Sequence, residues 1–184
     1  MVGSIEVIVG CMFSGKSEEL IRRLRRLAVA KKKIIVFKPS VDNRWNRRNE
    51  LVSRSGTAFA AYPILTPLEM CDKSSEYDVV GIDEAHFFDH SFLGVISDLR
   101  VAGKQVIVAG LDMDFRREAF EHIATLLAVA DDVCKLDAIC IVCGGRATLT
   151  QRLMNGETAP ASAERLAVGD DEYEARCRTC HVVK

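Results

Sequence analysis

The segment GCMFSGKS, residues 10–17, has a glycine on each side of a short loop, followed by a lysine and a hydroxyl side chain. An apolar run at residues 5–9, predicted as a buried strand, precedes it, and apolar residues at helical spacing follow it. A strand, a glycine loop and a helix in that order are the context of a loop that surrounds a phosphate. The alternative is an ordinary tight turn. The spacing therefore predicts a nucleoside triphosphate site formed by Gly10, Cys11, Met12, Phe13, Ser14, Gly15, Lys16 and Ser17.

Two adjacent carboxylates, Asp83 and Glu84, end the apolar run at residues 78–82. Asp83 stands where proteins with such a loop keep the acid that holds Mg²⁺ through water. Glu84 is then free to take a proton, so we predict it to be the general base for phosphoryl transfer to a hydroxyl. The alternative is a solvated strand end.

Residues 83–86 read DEAH, which is also a signature of helicases driven by ATP. Such helicases resemble two stacked lobes of similar size, which 184 residues do not supply, and no later arginine-rich motif is present. Phosphoryl transfer to a hydroxyl therefore remains the first hypothesis for the function. An ATPase acting on nucleic acid is the second, and a zinc-knuckle binding module with a nucleotide-sensing domain is the third.

Two CxxC pairs, Cys140 with Cys143 and Cys177 with Cys180, have the spacing of a tetrahedral zinc site. Four protein ligands leave no open position on the metal, so the predicted Zn²⁺ is structural. His181 is an alternative fourth ligand, although the symmetric spacing favours Cys180. The metal would clip together residues 144–176, which have little core of their own.

The elements that position these residues alternate along the chain. Apolar runs at 5–9, 33–37, 78–82 and 105–110 predict buried strands, with a weaker strand at 58–62. Helices are predicted after residue 17, at about 66–73, and from residue 92 with Gly103 past its end. Residues 40–50 are predicted as a polar loop. This order predicts an α/β fold with a parallel sheet covered by helices on both faces. The pattern breaks near residue 137, so we expect an ATP-binding domain at 1–136 and a zinc-binding domain at 137–184.

Composition argues for an ordinary globular protein. Apolar residues make up 48% and charged residues 28% of the chain, with a net charge of −1. The basic run at residues 22–33 is either a patch for anionic partners or the solvated face of the first helix, and we favour the helix face. No membrane span or signal peptide is evident, and seven cysteines favour thiols and a metal over disulfides. We therefore expect a cytoplasmic protein with no nucleic-acid or membrane partner.

Together, the phosphate loop, the acid pair followed by two phenylalanines, and the cysteine pairs resemble the type II thymidine kinase family over almost the whole chain. The resemblance implies a RecA-like P-loop domain and a small zinc-binding domain with a substrate-covering lasso. It also implies that the γ-phosphate of ATP is transferred, with Mg²⁺, to the 5′-hydroxyl of thymidine, and of deoxyuridine too. That reaction serves deoxynucleoside salvage for DNA synthesis, and members of the family typically form homotetramers.

Site residues follow from the same resemblance. The family's Asp-x-Arg is matched by Asp42 and Arg44, which would support Mg²⁺ and the phosphates, and His86 stands beside the phosphates where the family usually has glutamine. The turn at residues 168–173 is one residue shorter than usual, which leaves open which of Val168, Gly169 and Asp170 offers its backbone to the base. The implied nucleoside-binding residues are Met12, Phe87, Leu111, Phe115, Phe120, Thr150, Val168, Gly169 and Tyr173. We expect the zinc to hold this cover in place and the phosphate loop to be independent of it.

Overall fold

The protein is described here by a computed structural model that covers residues 2–41, 49–52, 56, 58–166 and 173–184. The predicted polar loop at 40–50 lies mostly outside these residues. The helices are α1 (Lys16–Val29), α2 (Glu69–Lys73), α3 (Ser91–Val101) and α4 (Glu121–Val129). The strands are β1 (Ser4–Gly10), β2 (Ile34–Pro39), β3 (Glu50–Val52), β4 (Ala58–Ala60), β5 (Tyr62–Ile64), β6 (Val79–Ile82), β7 (Gln105–Gly110), β8 (Asp132–Leu136), β9 (Ala138–Ile139), β10 (Arg146–Ala147), β11 (Leu149–Met154), β12 (Glu157–Thr158) and β13 (Tyr173–Arg176).

A six-stranded parallel sheet in the order β5-β2-β6-β7-β1-β8 forms the centre of the molecule. The strands predicted at residues 5–9, 33–37, 78–82 and 105–110 all lie in it, and the predicted α/β class is confirmed. The pairing of β1 with both β7 and β8 brings Val9 beside Gly110 and Gly10 beside Leu136. The carboxyl ends of these strands therefore meet at one edge, where ligands bind in sheets of this kind.

Helices cover both faces of the sheet because successive strand residues point to opposite sides. Helix α1 packs on one face through Leu20, Ile21 and Leu24, against a layer that includes Ile8 and Ile107. Helices α2, α3 and α4 pack together on the other face, where strands β1, β2, β6 and β7 supply the opposing side chains. Both apolar layers are fully buried, so the sheet is a rigid platform for its edge.

Two elements differ from their predicted form. The strand predicted at residues 58–62 is divided: β4 pairs antiparallel with β3, and β5 joins the edge of the parallel sheet. Pro63 has no N–H group to donate, which suits an edge strand. The helix predicted at 66–73 begins only at Glu69, whose carboxylate accepts the N–H groups of Leu65 and Thr66.

Residues 137–184, called here the C-terminal lobe, follow the last parallel strand. A short hairpin of β9 and β10 precedes a three-stranded antiparallel sheet in the order β12-β11-β13. The core of this lobe consists of small side chains, Ala138, Ala147 and Ala175 with Cys140, and Cys11 of the phosphate loop packs into the same cluster. Cys11 thus joins the phosphate loop to the core of the lobe, and the expected independence of the loop from the zinc-held cover stays a prediction.

None of the helices in the described part of the chain has both the length and the apolar character needed to cross a membrane.

Candidate phosphate and nucleoside site

The phosphate loop connects β1 to α1 through backbone conformations that residues with a side chain rarely adopt. Gly10 has φ +152°, and a Cβ atom added there would lie 2.5 Å from the carbonyl oxygen of Leu136. Gly15 has φ +83° and forms the N-cap of α1, which then begins at Lys16. Phe13 also has a positive φ, of 67°. The predicted order of strand, glycine loop and helix is thus present, and the loop lies at the carboxyl edge of the sheet.

Lys16 is buried inside this loop. Its Nζ donates to the carbonyl oxygen of Cys11 at 2.8 Å, and that oxygen also accepts the Ser14 hydroxyl at 2.8 Å. Burial lowers the pKa of the lysine, whereas the nearby carboxylates of Glu84 and Asp83 act to raise it. An ammonium group held out of water in this way can compensate the charge of a phosphate directly.

A hydroxyl and a carboxylate meet next to the lysine. The Ser17 Oγ donates to Asp83 Oδ2 at 2.7 Å, and Asp83 is only 3% exposed. Oxygen donors of this kind are the ligands that Mg²⁺ prefers, and Mg²⁺ keeps several waters when it is bound beside phosphates. The two side chains therefore fit the Mg²⁺ site predicted from the sequence.

Glu84 follows Asp83 in a left-handed conformation, with φ 51° and ψ 38°. A residue other than glycine in this region carries strain of about 1–3 kcal/mol and tends to occur at functional sites. It opens a short 3₁₀ turn, Ala85–Phe87, and its side chain is nearly buried. Behind the turn, Nε2 of His122 lies 3.2 Å from the Ala85 carbonyl oxygen, and burial lowers the pKa of this histidine. The position of the Glu84 backbone is therefore supported from the core.

His86 contacts the acid and the segment after β7. Its Nδ1 accepts the N–H group of Leu111 at 3.2 Å, and its Nε2 lies 3.5 Å from Glu84 Oε2. The ring is 3% exposed and lies 4.5 Å from the ring of Phe87 and 5.2 Å from that of Phe120, measured between centroids. A direct role for His86 beside the phosphates stays a prediction.

The residues predicted to line the nucleoside pocket converge from distant parts of the chain. Leu111, Phe115 and Phe120 are buried in the segment that follows β7. The backbone N–H of Met12 donates to Thr150 Oγ1 at 3.0 Å, which joins the phosphate loop to β11. Phe87 and Tyr173 are half-buried. Asp42, Arg44, Val168, Gly169 and Asp170, which the resemblance also implicated, lie outside the described residues.

Arginines that the sequence did not single out attach the C-terminal lobe to the segment after β7. Arg165 Nε donates to Asp114 Oδ2 at 2.9 Å, and its guanidinium lies 4.5 Å from the centre of the Phe120 ring. Arg152 lies over both Phe115 and Tyr173, at 5.6 Å and 5.9 Å from the ring centres. Only the run of charges at residues 112–118 hinted at these contacts, and a charge run by itself favours a solvated surface.

A second missed pair lies at the sheet edge. Asp112, noted in the sequence only as a strand-end carboxylate, is 6% exposed, and its Oδ2 lies 2.8 Å from Lys135 Nζ on β8. The apolar pattern did not predict β8, because the side chains of this edge strand are largely exposed to water and do not alternate regularly between apolar and polar.

The four predicted zinc ligands lie together. Cys140, Cys143, Cys177 and Cys180 place their sulfur atoms within 4.8 Å of one another, and those of Cys143 and Cys177 are 3.7 Å apart. Four sulfurs at about 2.3 Å from a tetrahedral zinc would be about 3.8 Å apart, so the cluster fits this metal.

Hydrogen bonds within the cysteine cluster lower the pKa of some thiols and raise that of another. The backbone N–H of Cys177 and neighbouring donors lower the pKa of Cys140 to about 6. Cys180 hydrogen-bonds the sulfurs of Cys177 and other members of the cluster, which raises its pKa to about 12. Cys11, by contrast, has a raised pKa because it is buried, although Lys16 acts to lower it. The thiolate that a zinc ion needs is thus favoured at Cys140 and disfavoured at Cys11 of the phosphate loop.

His181, the alternative fourth ligand, is engaged elsewhere. Its Nε2 lies 3.0 Å from the Thr150 carbonyl oxygen, and its Nδ1 accepts from Arg117 Nε at 3.1 Å. Burial lowers its pKa, and the nitrogen that accepts from Arg117 carries no hydrogen. Because both ring nitrogens are occupied, the four cysteines are the candidate ligands that fit a metal in this structure.

The site combines a buried lysine inside a glycine loop with a hydroxyl paired to a strand-end carboxylate, and a second carboxylate lies beside them. This combination defines a P-loop nucleotide-binding protein. The family model for thymidine kinase matches residues 3–181. A thymidine kinase of Coprothermobacter proteolyticus is 52% identical over 182 residues, which cover 98% of this chain and 91% of that protein. The chain therefore belongs to the thymidine kinase family, as its motifs predicted. Among solved structures, the flagellar accessory protein FlaH from Methanocaldococcus jannaschii is similar with a TM-score of 0.49 at 12% identity, over 79% of this chain and 75% of that one.

Proposed function

We propose that this protein is an ATP-dependent thymidine kinase that transfers the γ-phosphate of ATP to the 5′-hydroxyl of thymidine, giving the 5′-monophosphate and ADP. The observation that carries the proposal is the match of the thymidine kinase family along residues 3–181, together with a phosphate loop and a carboxylate pair meeting at one sheet edge. The coupled reaction needs a nucleotide site and an acceptor site side by side. The hydrogen bond between Met12 and Thr150 supports that arrangement.

Each residue at the edge has a chemical task in this reaction. Lys16 compensates negative charge on the transferring phosphoryl group, which is the main requirement of phosphoryl transfer. Ser17 and Asp83 would hold Mg²⁺, which would supply positive charge to offset that of the phosphates. Glu84 accepts the proton of the 5′-hydroxyl as the oxygen bonds to phosphorus and the bond to the ADP oxygen breaks.

The acceptor side is formed by the C-terminal lobe and the segment after β7. Leu111, Phe115 and Phe120 offer apolar surface for a pyrimidine, and Tyr173 adds an aromatic ring. Zn²⁺ bound by the four cysteines would stabilise the lobe without taking part in the chemistry, since a closed set of four ligands leaves no open position. We further propose that residues 1–136 bind ATP, that residues 137–184 cover the nucleoside, and that the enzyme is a cytoplasmic homotetramer acting in deoxynucleoside salvage for DNA synthesis.

A nucleoside panel tests the proposed reaction. The purified protein is incubated with Mg-ATP and thymidine, deoxyuridine, deoxycytidine or deoxyguanosine, and both ADP and nucleoside monophosphate are measured. We expect one monophosphate per ADP with thymidine and also with deoxyuridine. Thymidine lacking its 5′-hydroxyl should bind and yield no product, which separates binding from transfer.

The Glu84→Gln variant tests the base within the same assay. Glutamine keeps the shape of the side chain and cannot accept the proton, so turnover should fall by about 10²–10⁴-fold while ATP affinity stays near that of the parent. Near-parental turnover would contradict the assignment of Glu84. If single-stranded DNA stimulated ATP hydrolysis and no nucleoside was phosphorylated, the protein would instead be a nucleic-acid ATPase.

A further inference from the structure

His86 lies between Glu84, the proposed base, and the residues after β7 that include Leu111, Phe115 and Phe120, called here the nucleoside segment. It accepts the backbone N–H of Leu111 on Nδ1 at 3.2 Å and approaches Glu84 Oε2 with Nε2 at 3.5 Å. Leu111 is the first residue after β7, 25 positions further along the chain. One imidazole therefore connects two strand ends of the sheet.

The backbone contact selects the tautomer. An N–H group can only donate, so the Nδ1 that faces Leu111 must be the unprotonated nitrogen. A neutral imidazole then carries its hydrogen on Nε2, the nitrogen that faces the carboxylate of Glu84. At 3.5 Å this is a long contact, and contacts at catalytic groups commonly shorten in the reacting complex.

The ring itself has little freedom. It is 3% exposed and packs between the rings of Phe87 and Phe120. Glu84 is also held, since its backbone adopts the left-handed conformation at the start of the turn. A fixed donor thus faces a carboxylate whose backbone is fixed.

We propose that His86 is a positioning residue that orients the Glu84 carboxylate toward the acceptor hydroxyl and ties its placement to the nucleoside segment at Leu111. The proposal rests on the proposed role of Glu84 as the base. Through the Leu111 contact, a shift of the nucleoside segment moves the donor that faces the base. Misplacing a reacting group by about 1 Å can lower a rate by about 10²-fold, which sets the size of the expected effect.

Two substitutions separate hydrogen bonding from packing. His86→Phe keeps an aromatic ring between Phe87 and Phe120 and removes both nitrogen contacts. We expect kcat to fall by about 10–10²-fold with the KM for ATP within about threefold of the parent. His86→Gln retains an N–H donor and an acceptor, and it should restore kcat to within about fivefold of the parent. His90→Gln, at an exposed histidine, serves as the matched control and should leave kcat unchanged.

A double substitution tests whether His86 acts through Glu84. Two groups that act as a unit are non-additive, so His86→Phe should cause no further loss in a Glu84→Gln background. If His86→Phe lowered kcat as much in the Glu84→Gln background as in the parent, the proposal would be overturned. Parental kcat in the His86→Phe variant would also overturn it, as would a kcat in the His86→Gln variant as low as that of His86→Phe. If Glu84→Gln alone had parental activity, the proposed base would fail first, and the two failures are thereby distinguished. Circular dichroism and ATP titration confirm that each variant is folded.

Discussion

Removing one zinc ligand tests how the C-terminal lobe supports the two substrate sites. Cys143 is the suitable ligand because it is exposed, whereas Cys140 is 1% exposed and packs in one cluster with Cys11. Cys143→Ser therefore removes a sulfur ligand without opening a cavity beside the phosphate loop. Cys71→Ser, at a half-buried cysteine outside the cluster, is the matched control.

The size of the effect follows from the length of chain that the metal closes. Cys143 and Cys177 are 34 positions apart, and a cross-link closing a loop of that length is worth about 4 kcal/mol in chain entropy. The alanine-rich core of the lobe offers little burial to replace it. Thr150 and Tyr173 lie on the strands that would loosen. We therefore expect thymidine affinity to fall by between about 10-fold and 10³-fold.

ATP affinity should fall much less. Most of the phosphate loop is held by β1, α1 and its internal hydrogen bonds. The lobe adds the hydrogen bond from Met12 to Thr150 and the packing of Cys11, and one such hydrogen bond contributes about 1 kcal/mol. We expect ATP to bind about fivefold to tenfold more weakly.

Metal analysis and separate titrations with ATP and thymidine check this prediction. The Cys143→Ser protein should lose zinc, while the Cys71→Ser protein should keep both zinc and both affinities. Equal losses for the two substrates would mean that the lobe supports the whole fold, and the reasoning above would fail. Retained thymidine affinity in zinc-free protein would show that the lobe does not cover the nucleoside.

Two further predictions concern buried basic side chains. Lys16→Ala should weaken ATP binding by at least about 10²-fold and lower turnover, because the ammonium group compensates phosphate charge. Calorimetric titration measures the affinity, and the circular dichroism spectrum should be unchanged. Parental ATP affinity would show that the phosphates bind elsewhere. His122 has a pKa lowered by burial, so below its ordinary value of 6.5 the unfolded chain binds a proton that the folded chain does not. Its contribution to stability is therefore present at neutral pH and is lost as pH falls through 6.5, by at most about 1.4 kcal/mol per pH unit. Urea unfolding at several pH values should show that the free energy of unfolding depends less steeply on pH in His122→Gln. An unchanged pH dependence would exclude His122 as the group responsible. The ionisable groups that face the ring belong to Asp89, His90 and Arg165.

Short-range patterns made the phosphate loop and the four-cysteine cluster predictable. A phosphate loop needs only contiguous residues between a strand and a helix, so residues 10–17 with their flanks contain its whole signal. The two CxxC pairs are likewise local, and a metal that needs four sulfurs brings them together whatever lies between. The central strands were predictable because strands buried on both faces are apolar throughout. The edge strand β8 and the division of residues 58–64 into two strands lack that pattern.

Contacts between distant segments were decided only by the tertiary structure. Met12 meets Thr150 across 138 positions, and Arg165 meets Asp114 across 51, because the sheet and the lobe fold against each other. No spacing rule relates such pairs, since their separation reflects the path of the chain and not the period of a helix or strand. His86 shows the difference most clearly. The family resemblance placed it beside the phosphates, which stays a prediction, and only the fold shows that its ring lies between Glu84 and Leu111.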